Sequence, residues 1–426
     1  MPDLIFGKLI ILRLEEIDVN ILANRLLSCG GSKLIKKGKD MFKLQHNFLS
    51  AKHVQKITKF IFLSLISLAS MPVMSGVKFE HSDTVWLSIG GGARMQLDSR
   101  KSDFDNNSDI SFDSIRVYIA AQLHKYLKFS INTDKQNHDS TDLIDAMVRF
   151  EINSYFNLWL GRLVVPGNRI GMSGPFYGMN WSQYRQPLYP TELGGAAGSL
   201  GRGEGGVFWG TAGKFHYALG IVDGLKGFSN QSNDKLYAAR LTYNFLNVES
   251  NFGYYTSSTY FGEQGDLFTV ALTLQNQDGG SGSAIEQGDF FGYSIDLLSE
   301  TVLPGIGVIT LEAEYKDFDA DYSSASTPTA GSADCFCLFD GNSVFATLSY
   351  LYPNKIGFGK FQPYIRYVEN DPTGAPSSDS VEFGSNYIIS GHKAKLNLSY
   401  VSGDTNASGY AGRDVDKVTF GIQLQY

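Results

Sequence analysis

The sequence predicts an all-β protein, a transmembrane antiparallel β-barrel of about sixteen strands, with eighteen also possible. Three observations predict this fold. Apolar and polar residues alternate with a period of two over most of the chain after residue 84. The connections between these segments are alternately short, as at 124–126, 213–214 and 391–392, and long, as at 98–112 and 163–204. A segment with the build of an export signal precedes the first alternating segment.

The composition favours many short strands joined by turns. The chain of 426 residues contains 46 Gly, 29 Phe and 23 Tyr, with 43% apolar residues and a mean hydropathy of −0.13. Its 3 Cys residues are too few for a disulfide scaffold. The formal net charge is −7, and residues 77–426 carry more acidic than basic side chains, which argues against a nucleic-acid partner.

The N-terminal part predicts three segments. Residues 52–75 resemble a signal peptide, because Lys52, Lys56 and Lys59 precede the apolar run 60–71 and small residues follow it. Signals normally begin a chain, so residues 1–51 are interpreted as an extra or over-extended N-terminal segment. The true start is then Met41 rather than Met1, or else the extension is retained. Residues 76–426 are assigned to the barrel.

Alternation places one apolar and one polar face on each strand, since successive side chains of a strand point to opposite sides. Segments that show it include 127–132, 144–152, 237–245, 309–316 and 394–400. A soluble sandwich also alternates, but long, numerous strands behind an export signal favour a membrane barrel. Seventeen candidate strands are found, and their directions conflict within 246–300, so one strand there is missed or false.

The third of the long connections, 163–204, follows the fifth strand and is predicted to fold inward. It contains Pro166 and Pro175 together with Phe176, Tyr177 and Trp181. A loop rich in Pro and aromatic residues is expected to pack against the inner wall as a constriction. The alternative is a lid or a subunit-contact loop without a role in transport.

The last strand carries apolar residues at alternate positions and ends in an aromatic residue. These are Val418, Phe420, Ile422, Leu424 and Tyr426. The pattern resembles the C-terminal signal by which outer-membrane barrels are recognised by their assembly machinery. The expected partners are therefore that machinery and the lipids of the outer membrane.

Residues 84–224 resemble the family of phosphate-selective porins of the O and P type. The resemblance is carried by the segments 87–97, 113–119, 128–131, 144–150, 160–166 and 217–224, the fifth of which leaves a strand through Pro166. It implies a homotrimeric, water-filled pore of about sixteen strands in the outer membrane of a Gram-negative bacterium. Small hydrophilic or anionic solutes, phosphate among them, would diffuse through it.

The candidate pore-lining residues lie on polar strand faces or in the third loop. They are Arg116, Lys128, Arg149, Arg169, Arg185, Arg202, Arg240, Asp145 and Glu151. Arg116, Lys128 and Arg149 are interpreted as a basic strip facing the third loop, which predicts a modest preference for anions. Weak selectivity is the alternative, because each basic side chain could instead pair with a neighbouring carboxylate.

No motif indicates an enzyme, a cofactor or a metal site. Residues 201–206 match a dinucleotide-binding pattern, but no helix pattern follows them. Cys335 and Cys337 have no His nearby in sequence and are interpreted as a local disulfide or as two bystander thiols. The remaining alternatives are a non-conducting outer-membrane barrel with an adhesive or structural role, and a secreted soluble β-sandwich.

Overall fold

The computed structural model describes residues 77–101, 106–135, 141–182, 201–225, 230–282, 287–321, 339–404 and 414–426. These residues form one helix, α1 (Arg169–Ser173), and seventeen strands. The strands are β1 (Val77–Ser82), β2 (Val85–Lys101), β3 (Asn106–His124), β4 (Leu127–Lys135), β5 (Thr141–Glu151), β6 (Asn157–Val164), β7 (Arg202–Ala212), β8 (Phe215–Asp223), β9 (Leu236–Asn244), β10 (Leu267–Gly282), β11 (Gln287–Leu303), β12 (Gly307–Ala320), β13 (Gly341–Leu351), β14 (Lys360–Pro372), β15 (Ser378–Ser390), β16 (Ala394–Asp404) and β17 (Asp414–Gln425). No described helix has the length and apolar character needed to cross a membrane.

Sixteen of the strands form a closed barrel. Each strand from β2 to β16 pairs antiparallel with the next, and β17 pairs antiparallel with β2 to close the sheet. Strand β1 lies outside this closure, since it pairs with residues 85–89 of β2 while β17 pairs with residues 92–101. The prediction of about sixteen strands is confirmed, because the described strands close the sheet without a gap for two more.

The two faces of the wall differ as the alternation predicted. On β12 the side chains of Thr310, Glu312 and Glu314 are buried on the inner face, whereas Ile309 and Leu311 are exposed on the outer face. Closure pairs the backbone groups between neighbouring strands, which a wall in contact with lipid requires. The sequence therefore forms a barrel that is apolar outside and mostly polar inside.

The connections lie at two ends, named here the short-turn end and the loop end. The short-turn end carries the turns at 125–126, 213–214 and 391–393, as predicted. The predicted loop 98–112 is much shorter, because β2 runs to Lys101 and β3 begins at Asn106. The polar residues of 98–112 that belong to β2 and β3 lie where these strands extend beyond the apolar outer surface of the barrel. They do not show where the strands end.

The conflict of strand directions within 246–300 is resolved by residues 245–266. These residues connect β9 to β10 at the short-turn end and contain no strand. A strand prediction inside them is therefore wrong, and residues 267–303 supply β10 and β11. The central part of this segment, 253–260, is buried or half-buried inside the barrel.

Candidate functional site in the barrel lumen

The third loop connects β6 to β7 at the loop end, and its residues 165–182 enter the lumen. These residues contain α1, and all five residues of this helix are buried. Asn168 caps the helix, because its side-chain Oδ1 accepts a hydrogen bond of 2.7 Å from the backbone N–H of Gly171. The predicted inward fold of the third loop is therefore confirmed for these residues.

Side chains of the barrel wall hold this loop by its backbone carbonyls. The Gln275 amide on β10 donates to Pro166 O at 2.8 Å, and Lys395 Nζ on β16 donates to Gly178 O at 2.7 Å. Further donors are Asn386 to Met179 O, Gln423 to Phe176 O and Arg94 to Trp181 O. These donors lie on β2, β10, β15, β16 and β17, so the loop crosses the interior in contact with widely separated strands.

Arg169 of α1 is the centre of a buried ionic cluster. Its guanidinium donates to Glu249 at 2.7 and 2.9 Å, to Asp296 of β11 at 3.3 Å and to Ser257 O at 2.9 Å. Arg240 of β9 also donates to Asp296, at 2.9 Å. Burial raises the pKa of Glu249, but the charge and hydrogen bonds of Arg169 outweigh it and lower that pKa to about 2.

The 245–266 segment enters the lumen from the short-turn end and meets the third loop. Thr256 Oγ1 donates to Arg169 O at 2.7 Å, and the Ser258 N–H donates to Tyr177 O at 3.2 Å. The segment is also fixed to the wall, because Glu300 of β11 accepts from Thr259 Oγ1 at 2.6 Å and from the N–H of the next residue at 2.9 Å. The two inward segments thus support each other.

The same segment also contacts the other side of the lumen, through an aromatic cluster. The Phe252 ring lies 5.3 Å from the Trp159 ring of β6, and the Arg149 guanidinium of β5 lies 4.7 Å from the Phe252 ring. Tyr254 also packs on Trp159, at 5.1 Å between ring centroids. Residues 245–266 therefore reach from β11 to β5 across the short-turn end of the barrel.

The basic candidates from the sequence have carboxylate partners wherever the structure describes them. Arg116 pairs with Asp134 at 3.0 Å, and Arg202 pairs with Asp145 at 3.1 Å. The others are Lys128 and Arg149, both with Glu151, Arg169 with Glu249, and Arg240 with Asp296. Arg185 lies outside the described residues, as do Cys335 and Cys337.

The proposed basic strip spans two levels of the barrel. Lys128 and Arg149 are direct cross-strand partners near the short-turn end. Arg116 lies on β3 six residues from Gln122, the residue that pairs with Lys128. Arg116 is therefore about 20 Å nearer to the loop end than Lys128 is. Arg116 instead shares its level with Asp134, its partner across β3 and β4.

A cavity of about 760 Å³ remains between the two inward segments and the wall. Its wall side carries Arg116, Tyr118, Asn132 and Asp145, and Arg202 lies beside them. Across the cavity lie residues of the third loop, in particular 171–174 and 177, and residues of the 245–266 segment, in particular 250–252 and 255. Residues 393 and 426 also line it, so the cavity reaches the short-turn end.

Two features of this site were missed by sequence reasoning. Arg94 lies on the inner face of β2, and the alternation of Ser88, Gly90, Gly92 and Arg94 could have revealed it. The inward fold of 245–266 depends on partners far apart in sequence, such as Glu249 with Arg169 and Thr259 with Glu300. No local pattern signals such contacts.

Ser257 and His392 are close together but do not form a nucleophile and its base. His392 Nε2 lies 3.0 Å from Ser257 Oγ and 2.9 Å from Thr259 O. Burial and the charge of Lys395 lower the pKa of His392 to about 3, so the ring is neutral. A carbonyl only accepts, so Nε2 carries the proton and has no lone pair for the Ser257 hydroxyl. Among the described residues no group of side chains is arranged to hold a metal ion.

No protein-family model and no curated protein sequence matches the chain. Solved structures do resemble it in fold. An anion-selective porin from Comamonas acidovorans is 14% identical, with a TM-score of 0.52, over 80% of this chain and 99% of that one. Salmonella typhi OmpF, in a complex with daunomycin, is 13% identical, with a TM-score of 0.53, over 82% of this chain and 100% of the other. At such identities the likeness shows a shared barrel fold.

Proposed function

We propose that this chain is an outer-membrane porin that forms a water-filled channel for passive diffusion of small hydrophilic solutes. The observation that carries the proposal is the cavity between the third loop and the wall of β3–β5, lined in part by charged and polar side chains, inside a barrel with an apolar outer surface. The fold shared with an anion-selective porin and with OmpF supports it. Residues 52–75 would direct export, residues 1–51 would be an extra N-terminal segment, and residues 76–426 would form the channel in a Gram-negative outer membrane.

The proposed selectivity is a modest preference for anions. Arg116, Arg202 and Lys393 line the cavity, against Asp145 and Glu263. Because Arg116 and Arg202 are both paired with carboxylates, their charges are partly compensated and the preference is small. Phosphate preference and a homotrimeric assembly rest on the family resemblance of residues 84–224. We propose no enzymatic role and no cofactor.

Conductance of the purified protein in planar bilayers tests the proposal. We expect stable single channels and a reversal potential in a salt gradient that indicates more permeation by the anion. A triple variant, Arg116→Gln, Arg202→Gln and Lys393→Gln, should lose this preference, whereas Arg100→Gln, exposed at the loop end, should keep it. A cation-preferring wild type, or an anion preference that survives the triple variant, contradicts the proposed selectivity.

A non-conducting barrel with an adhesive or structural role is the second candidate. It is favoured by the two inward segments, which fill the lumen from both ends and bond to each other through Arg169 and Glu249. This candidate predicts that the protein inserts into bilayers without measurable conductance. The same experiment therefore separates the two functions.

A further inference from the structure

We propose that the 245–266 segment is a second constriction of the channel, at the short-turn end, and that it restricts permeation to an off-centre passage along β3 and β4. This inference rests on the proposed channel function. It concerns a connection outside residues 84–224, the stretch that carries the family resemblance.

The segment spans the short-turn end of the lumen. It is bonded to Glu300 of β11 on one side and packs its Phe252 ring beside Arg149 of β5 on the other. It also contacts the turn between β15 and β16, where Ser257 Oγ lies 3.0 Å from His392 Nε2. A solute that moves along the barrel axis therefore meets this segment before it leaves at the short-turn end.

The segment is fixed by buried contacts. Its buried side is held by Thr259 and Tyr260 on Glu300, and by the ion pair between Glu249 and Arg169. Tyr260 Oη also donates to Glu249 Oε2 at 2.6 Å, which holds the carboxylate in place. Buried, multiply bonded contacts of this kind keep an element in one position. The segment thus forms a fixed part of the lumen.

The space that remains beside the segment is the cavity of about 760 Å³. The cavity is bounded by residues 250–252 of the segment on one side and by Arg116, Tyr118 and Asn132 on the other. It continues to residues 393 and 426 at the short-turn end. The passage that these residues define runs beside β3 and β4 and not through the centre of the barrel. Side chains of the segment that face it would therefore limit the size of permeating solutes.

Cysteine modification of folded channels tests this inference. In a background with all 3 Cys changed to Ser, Ser250→Cys places a near-isosteric thiol on the passage. A positively charged methanethiosulfonate reagent, added after insertion, should lower its single-channel conductance about twofold or more, because the added group occupies a constriction. Leu246→Cys is the matched control, since Leu246 is exposed on the same segment and does not line the cavity.

A second variant measures the opposite change. Phe252→Ala removes an exposed ring from the edge of the passage, and we expect a higher conductance than in the wild type. Conductance that is unchanged both in labelled Ser250→Cys and in Phe252→Ala would overturn the inference, as would a thiol at 250 that the reagent does not reach. A wild type that inserts but does not conduct would instead remove the proposed function itself.

Discussion

At the scale of single residues, the described basic candidates of the lumen occur in pairs and clusters with acids. Arg169 has Glu249 and Asp296 as partners, and Arg116 has Asp134. A buried charge without a partner costs far more than a paired one, so losing either member destabilises what the pair holds. The Arg169–Glu249 pair joins two segments that enter from opposite ends.

We expect Glu249→Gln to loosen the 245–266 segment without opening the barrel. The change removes one carboxylate partner of the buried Arg169 guanidinium, which keeps Asp296 and backbone partners. We expect the free energy that holds the segment in place to fall by about 3 kcal/mol. Single-channel recordings should show larger and noisier currents than the wild type.

Asp266→Asn is the control for this prediction, because Asp266 is exposed at the end of the same segment and does not line the cavity. Its currents should match those of the wild type. Equal noise in both variants would mean that the ion pair does not hold the segment in place.

The pKa of Glu249 predicts the pH range of this contact. The folded pKa is lowered from 4.5 to about 2, so the carboxylate stabilises the folded segment fully above pH 4.5 and loses this effect as the pH falls through about 2. The charged and titratable groups that face this cluster are Arg169, Arg240, Asp296, Glu312, Tyr260 and His216. We therefore expect channel noise to stay low from about pH 8 down to about pH 4. A rise in noise near pH 5 would contradict this assignment.

At the scale of elements, the third loop and β1 differ in the contacts that they make with the barrel. The third loop provides carbonyl acceptors for Lys395, Gln423 and Asn386 inside the lumen. Strand β1 is fully exposed and pairs only with the first residues of β2. Closure of the sheet depends on neither element.

Removing residues 173–193 from the third loop should raise the single-channel conductance. The wall keeps its own hydrogen bonds between strands, so insertion should persist although several inner side chains lose their acceptors. The measurement is conductance together with resistance of the folded barrel to detergent. Unchanged conductance in a correctly inserted variant would show that the loop does not limit the current.

Deleting β1, residues 77–82, should leave insertion and conductance unchanged. The sixteen-stranded closure begins with β2, and the pairing of β2 with β17 starts beyond the part that β1 covers. Removing the last four residues, 423–426, is the contrasting variant, because residues 423–425 pair with residues 92–94. That variant should insert poorly in an assay of folding into lipid vesicles.

The elements show how far the sequence could predict the structure. Strands such as β12 follow from local alternation, because a residue's face depends only on its position in the strand. The inward third loop follows from its Pro and aromatic content. The 245–266 segment could not be predicted, since its position depends on Arg169 and Glu300, which lie far away in sequence. The pairing of each basic candidate likewise depends on strand register, which composition does not fix.

At the scale of the whole molecule, we expect the mature chain to begin near residue 76 and to fractionate with the outer membrane. The signal-like run 60–71 and the apolar outer surface of the barrel are the reasons. N-terminal sequencing of the membrane-inserted protein is the measurement. Met1 at that N-terminus would contradict both the signal peptide and the division of the chain into segments.

The seam at which β17 pairs with β2 joins the last strand of the barrel to its first. Across it Thr419 Oγ1 donates to Asp98 Oδ1, although the two residues lie 321 positions apart. The first barrel strand therefore leaves the ribosome long before its partner exists, and contacts of such separation form slowly. Until translation ends, β2 has an open edge that can pair with other chains. We therefore expect the barrel to close only after its last strand is made.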